Sequence, residues 1–88
     1  MLQSWPMNDE IDLHGMTVDE AIPALEAFLY KSYRQHYQRV YVIHGKGTGV
    51  LKLETRRYLD NCTIVESYNT AEGARGGEGT TEVWFTRL

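Results

Sequence analysis

Apolar and polar residues change their spacing repeatedly along the chain, and each change marks an element. Residues 10–14 alternate, with Ile11 and Leu13 on one side and Asp12 and His14 on the other. That period of two predicts a short strand with one buried face. Gly15 then permits a sharp turn. Thr17 followed by Glu20 forms a capping box, and Val18, Ala21, Ile22, Leu25, Phe28, Leu29 and Tyr33 follow at helical spacing. The helix is predicted from Val18 to about His36. Pro23 lacks a backbone donor and is expected to bend the helix or loosen its first turn.

Val40, Tyr41, Val42 and Ile43 form a near-continuous apolar run, the pattern of a strand buried on both faces. The segment from His44 to Gly49 is too rich in glycine for either regular element. A second helix is predicted from Val50 to about Leu59, with Leu51, Thr55, Tyr58 and Leu59 on one face. A third strand is predicted from Ile64 to Tyr68. Residues 70–80 hold four glycines and no large apolar side chain, and are expected to form a mobile loop. Thr81 to Thr86 reads as a last strand, with Val83 and Phe85 on one face.

The order is β-α-β-α-β-β. Right-handed crossovers place both helices on the same side of the sheet. The expected fold class is therefore α/β: a two-layer sandwich of a mixed four-stranded sheet with both helices on one face. The spacing leaves the order of the strands open. Residues 1–9 show no periodicity and are expected to be an N-terminal tail, where Trp5 would dock on the domain or on a partner, or simply belong to a tag-like or frayed end. Residues 10–88 are expected to form one domain.

With 88 residues the chain has room for one modest core. No stretch approaches the length of a membrane span, and the N-terminus lacks a secretion-signal pattern. Cys62 is the only cysteine, which fits a reducing compartment, and a cytoplasmic location is expected. The net charge of −3 argues against a general nucleic-acid binder, but its distribution changes that picture. Residues 31–57 carry seven bases (Lys31, Arg34, Arg39, Lys46, Lys52, Arg56 and Arg57) against the single acid Glu54. A basic middle inside an acidic chain gives a local positive patch, or simply solvates two helix ends.

Two segments carry candidate chemistry. Asp12 and His14 share a strand face, and a carboxylate beside an imidazole orients the ring and stabilises its charged form. Such a histidine moves protons near neutral pH; alternatively both residues merely face solvent. His44, Gly45, Lys46, Gly47, Thr48 and Gly49 lie between a strand and a helix. Glycine lets backbone N–H groups approach an anion closely, and Lys46 adds a full charge, so this loop suits a phosphate. It matches neither the P-loop nor the dinucleotide fingerprint, because Val50 replaces the third glycine of the latter. The plainer reading is a tight turn without a ligand. Parallel pairing of the first two strands would bring His14, His44 and Lys46 to one sheet edge, where ligands of open α/β sheets bind.

Other signals are weaker. Arg75, among Gly73, Gly76, Gly77 and Gly79, would clamp a phosphate or sit in a solvated connection. His14, His44 and Asp12 match no zinc-ligand spacing, so neither a metal nor a cofactor is expected. Tyr30, Tyr33, Tyr37, Tyr41, Tyr68 and Trp84 would stack bases or serve as packing residues.

Taken together, Ile11-Asp12-Leu13-His14-Gly15, the run from His44 to Leu51, and Gly76-Gly77-Glu78-Gly79-Thr80-Thr81 resemble the three motifs of the Smr (small MutS-related) domain family. They occur in the family's order and span roughly residues 10–88. Thr80 stands where the family usually has alanine. The resemblance implies a fold like the C-terminal domain of the third bacterial translation initiation factor. It also implies nucleic-acid binding and, in several members, endonuclease activity: DNA nicking beside MutS-like proteins, or messenger-RNA cleavage at stalled or collided ribosomes. Asp12 and His14 match the Asp-x-His motif of the RNA-cutting members, and His44 and Lys46 match the glycine-loop positions. Pro23 and the acidic net charge depart from the family, and no MutS-like or ubiquitin-binding domain is recognised.

Three functions follow as expectations. The first is an endonuclease acting on RNA or DNA without an essential metal, with Asp12, His14 and His44 catalytic and Gly45, Lys46, Gly47, Thr48, Gly49 and Arg75 holding phosphate. The second is a non-cleaving module for nucleic acid or a ribosomal surface. The third is a module for a small phosphate ligand or a protein partner. The oligomeric state stays open.

Overall fold

The computed structural model of the protein describes residues 9–86. Four strands and two helices follow the expected order: β1 (Glu10–Asp12), α1 (Val18–Arg34), β2 (Arg39–Ile43), α2 (Val50–Asp60), β3 (Val65–Thr70) and β4 (Thr80–Phe85). The sheet order is β1-β2-β4-β3. β1 pairs parallel with β2, while β4 runs antiparallel to both β2 and β3. The last strand therefore fills the space between the second and the third.

The alternation read from the sequence sets the two faces. Leu13, Val40, Val42, Val83 and Phe85 point to the helix side and are buried, where they meet Leu25 and Leu29 of α1 and Leu59 of α2. Truncating one of these leucines to alanine costs about 2–5 kcal/mol in a packed core. Tyr33 of α1 meets Phe85 edge-on, with ring centroids 5.8 Å apart.

Helix α1 runs through Pro23 without interruption, and its first turn is not loose. The Glu20 N–H donates to Thr17 Oγ1 at 3.2 Å and the Thr17 N–H donates to Glu20 Oε1 at 3.0 Å. This reciprocal cap stabilises the turn that precedes the proline. The helix stops two residues before His36, which takes a left-handed backbone (φ 68°) and turns the chain toward β2.

The expected mobile loop is instead two 3-10 turns, Gly73–Arg75 and Gly77–Gly79. Backbone bonds from Arg75 and Gly77 to the Glu72 carbonyl, at 2.8 and 3.0 Å, and from Gly79 to the Gly76 carbonyl at 3.1 Å close them. The segment lacks apolar side chains because backbone hydrogen bonds organise it, which hydropathy does not report. Of the expected tail, Asp9 alone lies within the described residues: its carbonyl accepts from the Tyr41 N–H at 2.8 Å. Trp5 lies outside them. Among the described residues no helix is long and apolar enough to cross a membrane.

Candidate functional site at the carboxyl ends of β1 and β2

Parallel pairing of β1 and β2 brings Asp12 opposite Ile43, and the Leu13 N–H donates to the Ile43 carbonyl at 2.7 Å. His14 and Gly45 consequently leave the sheet side by side. A Cβ on Gly45 would stand only 3.2 Å from the His14 Cβ, so glycine there permits the approach.

Asp12 Oδ1 accepts two hydrogen bonds from one residue: the His14 N–H at 3.0 Å and ring Nδ1 at 2.6 Å. The carboxylate thus places the proton of the neutral ring on Nδ1 and leaves Nε2 as its base. The ring bond, then the backbone bond, hold the Asp12 carboxyl below its ordinary value of 3.8. Both side chains are more than half exposed, so Nε2 is open to a substrate.

His44 sits differently. It is buried, with Nδ1 donating to the Gly45 carbonyl at 2.9 Å and Nε2 accepting from the Thr81 hydroxyl at 2.8 Å. Thr81 Oγ1 in turn accepts from Nε and a terminal nitrogen of Arg56, each at 3.3 Å. Burial pushes the imidazole below its ordinary 6.5, and the Lys52 and Arg56 charges push the same way, against the pull of the Gly45 carbonyl. His44 is thereby held neutral, with both nitrogens engaged inside the protein.

The glycine loop is fastened to the third motif. The Gly79 carbonyl accepts from the N–H groups of both His44 and Gly45 at 3.0 Å. A Cβ on Gly79 would lie 3.5 Å from the Gly45 backbone and 3.6 Å from the Lys46 stem. The three motifs are thus in direct contact. Gly45, Gly47 and Gly49 all have positive φ. A left-handed backbone of this kind is open to glycine and is a component of backbone anion-binding nests, although the Gly45 N–H itself is taken by the Gly79 carbonyl.

Between this loop and the Gly15–Val18 turn runs a cleft of about 270 Å³, lined by residues 15–18 and 44–52. Helix α2 begins at its edge. Gly49 supplies no side-chain cap there, and the Val50 N–H reaches Thr48 Oγ1 only at 3.4 Å. Lys46 lines the cleft and has no ion-pair partner among the described residues.

Arg75 is not brought to this cleft. Its guanidinium lies over the Tyr41 ring, 3.9 Å from the centroid, and 3.5 Å from the Asp9 carboxylate, against the sheet face that the helices leave open. Of the aromatic residues, Tyr41 is buried and Tyr68 donates to Asp60 at 2.6 Å. Trp84 is partly exposed and packs on Arg39. Among the described residues no three His, Cys, Asp or Glu side chains are grouped to hold a metal ion.

Sequence reasoning passed over Arg56 and Thr81, which orient His44, and Lys52, which pairs with Glu78 at 2.7 Å. The available signal was the spacing of Lys52 and Arg56, four residues apart on the helix that follows the glycine loop.

Fold and site together define a class: small α/β sandwiches that join an Asp-x-His strand end, a glycine loop and a second glycine turn at one sheet edge. The chain belongs to the Smr domain family, whose profile matches residues 11–86. It is 45% identical over 78 residues to the endonuclease MutS2 of Fusobacterium nucleatum, covering 89% of this chain and 10% of that protein. The chain therefore spans about a tenth of the length of such relatives. The crystal structure of the Smr domain of Thermus thermophilus MutS2 superposes with a TM-score of 0.86 at 34% identity, covering 90% of this chain and 99% of that one. YdaL, a stand-alone small MutS-related protein from Escherichia coli, shares the fold with a TM-score of 0.88 at 23% identity, over 96% of this chain and 69% of its own.

Proposed function

We propose that the domain binds nucleic acid in the cleft between the glycine loop and the β1–α1 turn, and cuts the phosphodiester bond placed beside His14. One observation carries this reading: Asp12 grips His14 through Nδ1 at 2.6 Å, on a largely exposed side chain whose Cβ lies against Gly45 of the glycine loop, just outside the residues that line the cleft. A base oriented this way contributes about 10²–10⁴-fold to a proton-transfer step.

On RNA, His14 Nε2 would take the 2′-OH proton as that oxygen attacks the adjacent phosphorus. The 5′-oxygen would leave and take up a proton from water. Lys46 and the N–H groups of Gly47, Thr48 and Gly49 would offset the charge that gathers on the phosphate oxygens, while the Gly45 N–H, expected from the sequence to hold phosphate as well, is committed to the Gly79 carbonyl. His44, with both nitrogens engaged, is assigned to holding the loop rather than to moving protons. The endonuclease name of the MutS2 relatives supports cleavage, on DNA as much as on RNA. A cytoplasmic setting, and delivery by a MutS-like protein or a ribosome, belong to the same reading.

The engagement of His44 also favours a second reading. With one exposed histidine in place of an acid–base pair, the domain would bind nucleic acid without cutting it. Matched labelled RNA and DNA hairpins, incubated with the protein in excess chelator, separate the two. Cleavage that falls about 10²–10⁴-fold in His14→Ala supports the first. Salt-sensitive binding with no cleavage of either hairpin selects the second.

A further inference from the structure

Glu78 is the only acid in the second 3-10 turn, and it is exposed. Its carboxylate nonetheless has a fixed partner: Lys52 Nζ donates to Oε1 at 2.7 Å. Lys52 is the more buried member of the pair and lines the cleft together with Lys46. Lys52, through its hydrogen bond and its charge, holds the Glu78 carboxyl below its ordinary 4.5, and Arg56 and Lys46 add to the effect. Three cations therefore act on a single carboxylate at the cleft edge.

We propose that Glu78 occupies a phosphate subsite of the free protein, formed by Lys52 with Lys46 beside it in the cleft lining, and that a backbone phosphate of bound nucleic acid displaces it. This rests on the nucleic-acid reading above and adds to it a second contact and a built-in competitor. The exchange is like for like, because a phosphodiester and a carboxylate each carry one negative charge on two oxygens. It is also inexpensive, since an exposed ion pair contributes about 0–1 kcal/mol. The side chain is free to leave, because it is 70% exposed and Lys52 is its one hydrogen-bonded partner among the described residues. An exposed acid in such a turn has no core to fill, so its position is set by the cations it meets.

The test measures affinity of the full chain for short labelled RNA and DNA hairpins over a series of salt concentrations. Glu78→Gln is expected to tighten binding by about two- to fivefold. It should also steepen the dependence of log affinity on log salt by about one unit, because Lys52 would enter the complex unpaired. Lys52→Gln should weaken binding, and in its background Glu78→Gln should bring no gain. An equal gain with Lys52→Gln present would mean a bulk-charge effect and overturn the proposal, as would no gain at all in a protein that binds. Inorganic pyrophosphate, followed through the backbone amide signals of Lys46, Lys52 and Glu78, reads the anion site without nucleic acid. If neither hairpin binds, the nucleic-acid reading fails alone when those signals shift at lower pyrophosphate in Glu78→Gln and stay still in Lys52→Gln. If they do not shift in any variant, the subsite fails too.

Discussion

The Thr81 hydroxyl donates to Nε2 of His44 at 2.8 Å, because the other ring nitrogen is committed to the Gly45 carbonyl. Thr81 can give its proton away because Arg56 supplies donors to the same oxygen. The last strand thus selects the tautomer of a histidine in the loop after the second. Replacing Thr81 with valine keeps the shape and leaves Nε2 of His44 without its donor, while Arg56 retains Thr70. Thr81→Val is expected to lower stability by about 1–3 kcal/mol, read from the midpoint of urea unfolding. A change within experimental error would show that His44 does not depend on this bond.

His44 also sets a pH dependence. Its folded pKa lies below the ordinary 6.5, so the unfolded chain takes up the proton first. The stability it contributes is complete above pH 6.5 and is lost as pH falls through the depressed folded value. Urea midpoints of the wild type should decline as pH drops from neutrality through this window, and the decline should be shallower in His44→Gln. Asp12 acts in a separate window. Its carboxyl is lowered from 3.8, so its contribution is complete above that value and disappears in stronger acid.

Two glycines of the turns before β4 are expected to differ sharply. Gly76 has φ 116°, and a Cβ there would lie 2.1 Å from Thr80 Oγ1. Gly73 has no positive φ, and a Cβ there would meet nothing within 4 Å. Gly76→Ala should cost about 1–3 kcal/mol from the backbone alone, with the clash added. Gly73→Ala should stay within about 0.5 kcal/mol, as exposed substitutions do. Thermal unfolding of the pair is a direct check.

Asp12→Asn separates orientation from charge. The amide oxygen can still accept from the His14 N–H, but the ring loses the carboxylate that fixes Nδ1–H. On the cleavage reading, hairpin cutting should fall by about 10-fold or more, short of the effect of His14→Ala, with affinity little changed. Equal cleavage by Asp12→Asn and wild type would remove Asp12 from the chemistry.

The sequence was most informative where side chains report their own environment. The alternation around Ile11 and Leu13, the apolar run of β2 and the capping box at Thr17 each announce an element through local spacing, and the structure places all three as expected. Asp12 and His14 were legible as a pair two residues apart, although β1 ends at Asp12 and His14 stands in the turn that follows, where the Asp12 hydrogen bonds rather than a shared strand face hold it. The interior position of β4 was not legible, because strand order depends on pairings across the chain. Nor was the role of His44 separable from that of His14 by residue type. What divides them is burial and a threonine 37 positions downstream. Arg75 was misplaced for a related reason: a glycine-flanked arginine gives no sign of which sheet face its turn will cover.

The position of β4 has a consequence for how the domain comes into being. β2 and β3 are joined only through the final strand, which lies between them, and the glycine loop has no Gly79 carbonyl to hold it until the turn before that strand is in place. A growing chain that has emerged only as far as β3 carries both histidines but no assembled cleft. Long-range strand pairing of this kind is slow compared with helix formation, and the docking of β4 completes both the sheet and the site. Partly made copies of the domain therefore lack the fastened loop, and on the function proposed above competence would arrive with the closing of the sheet.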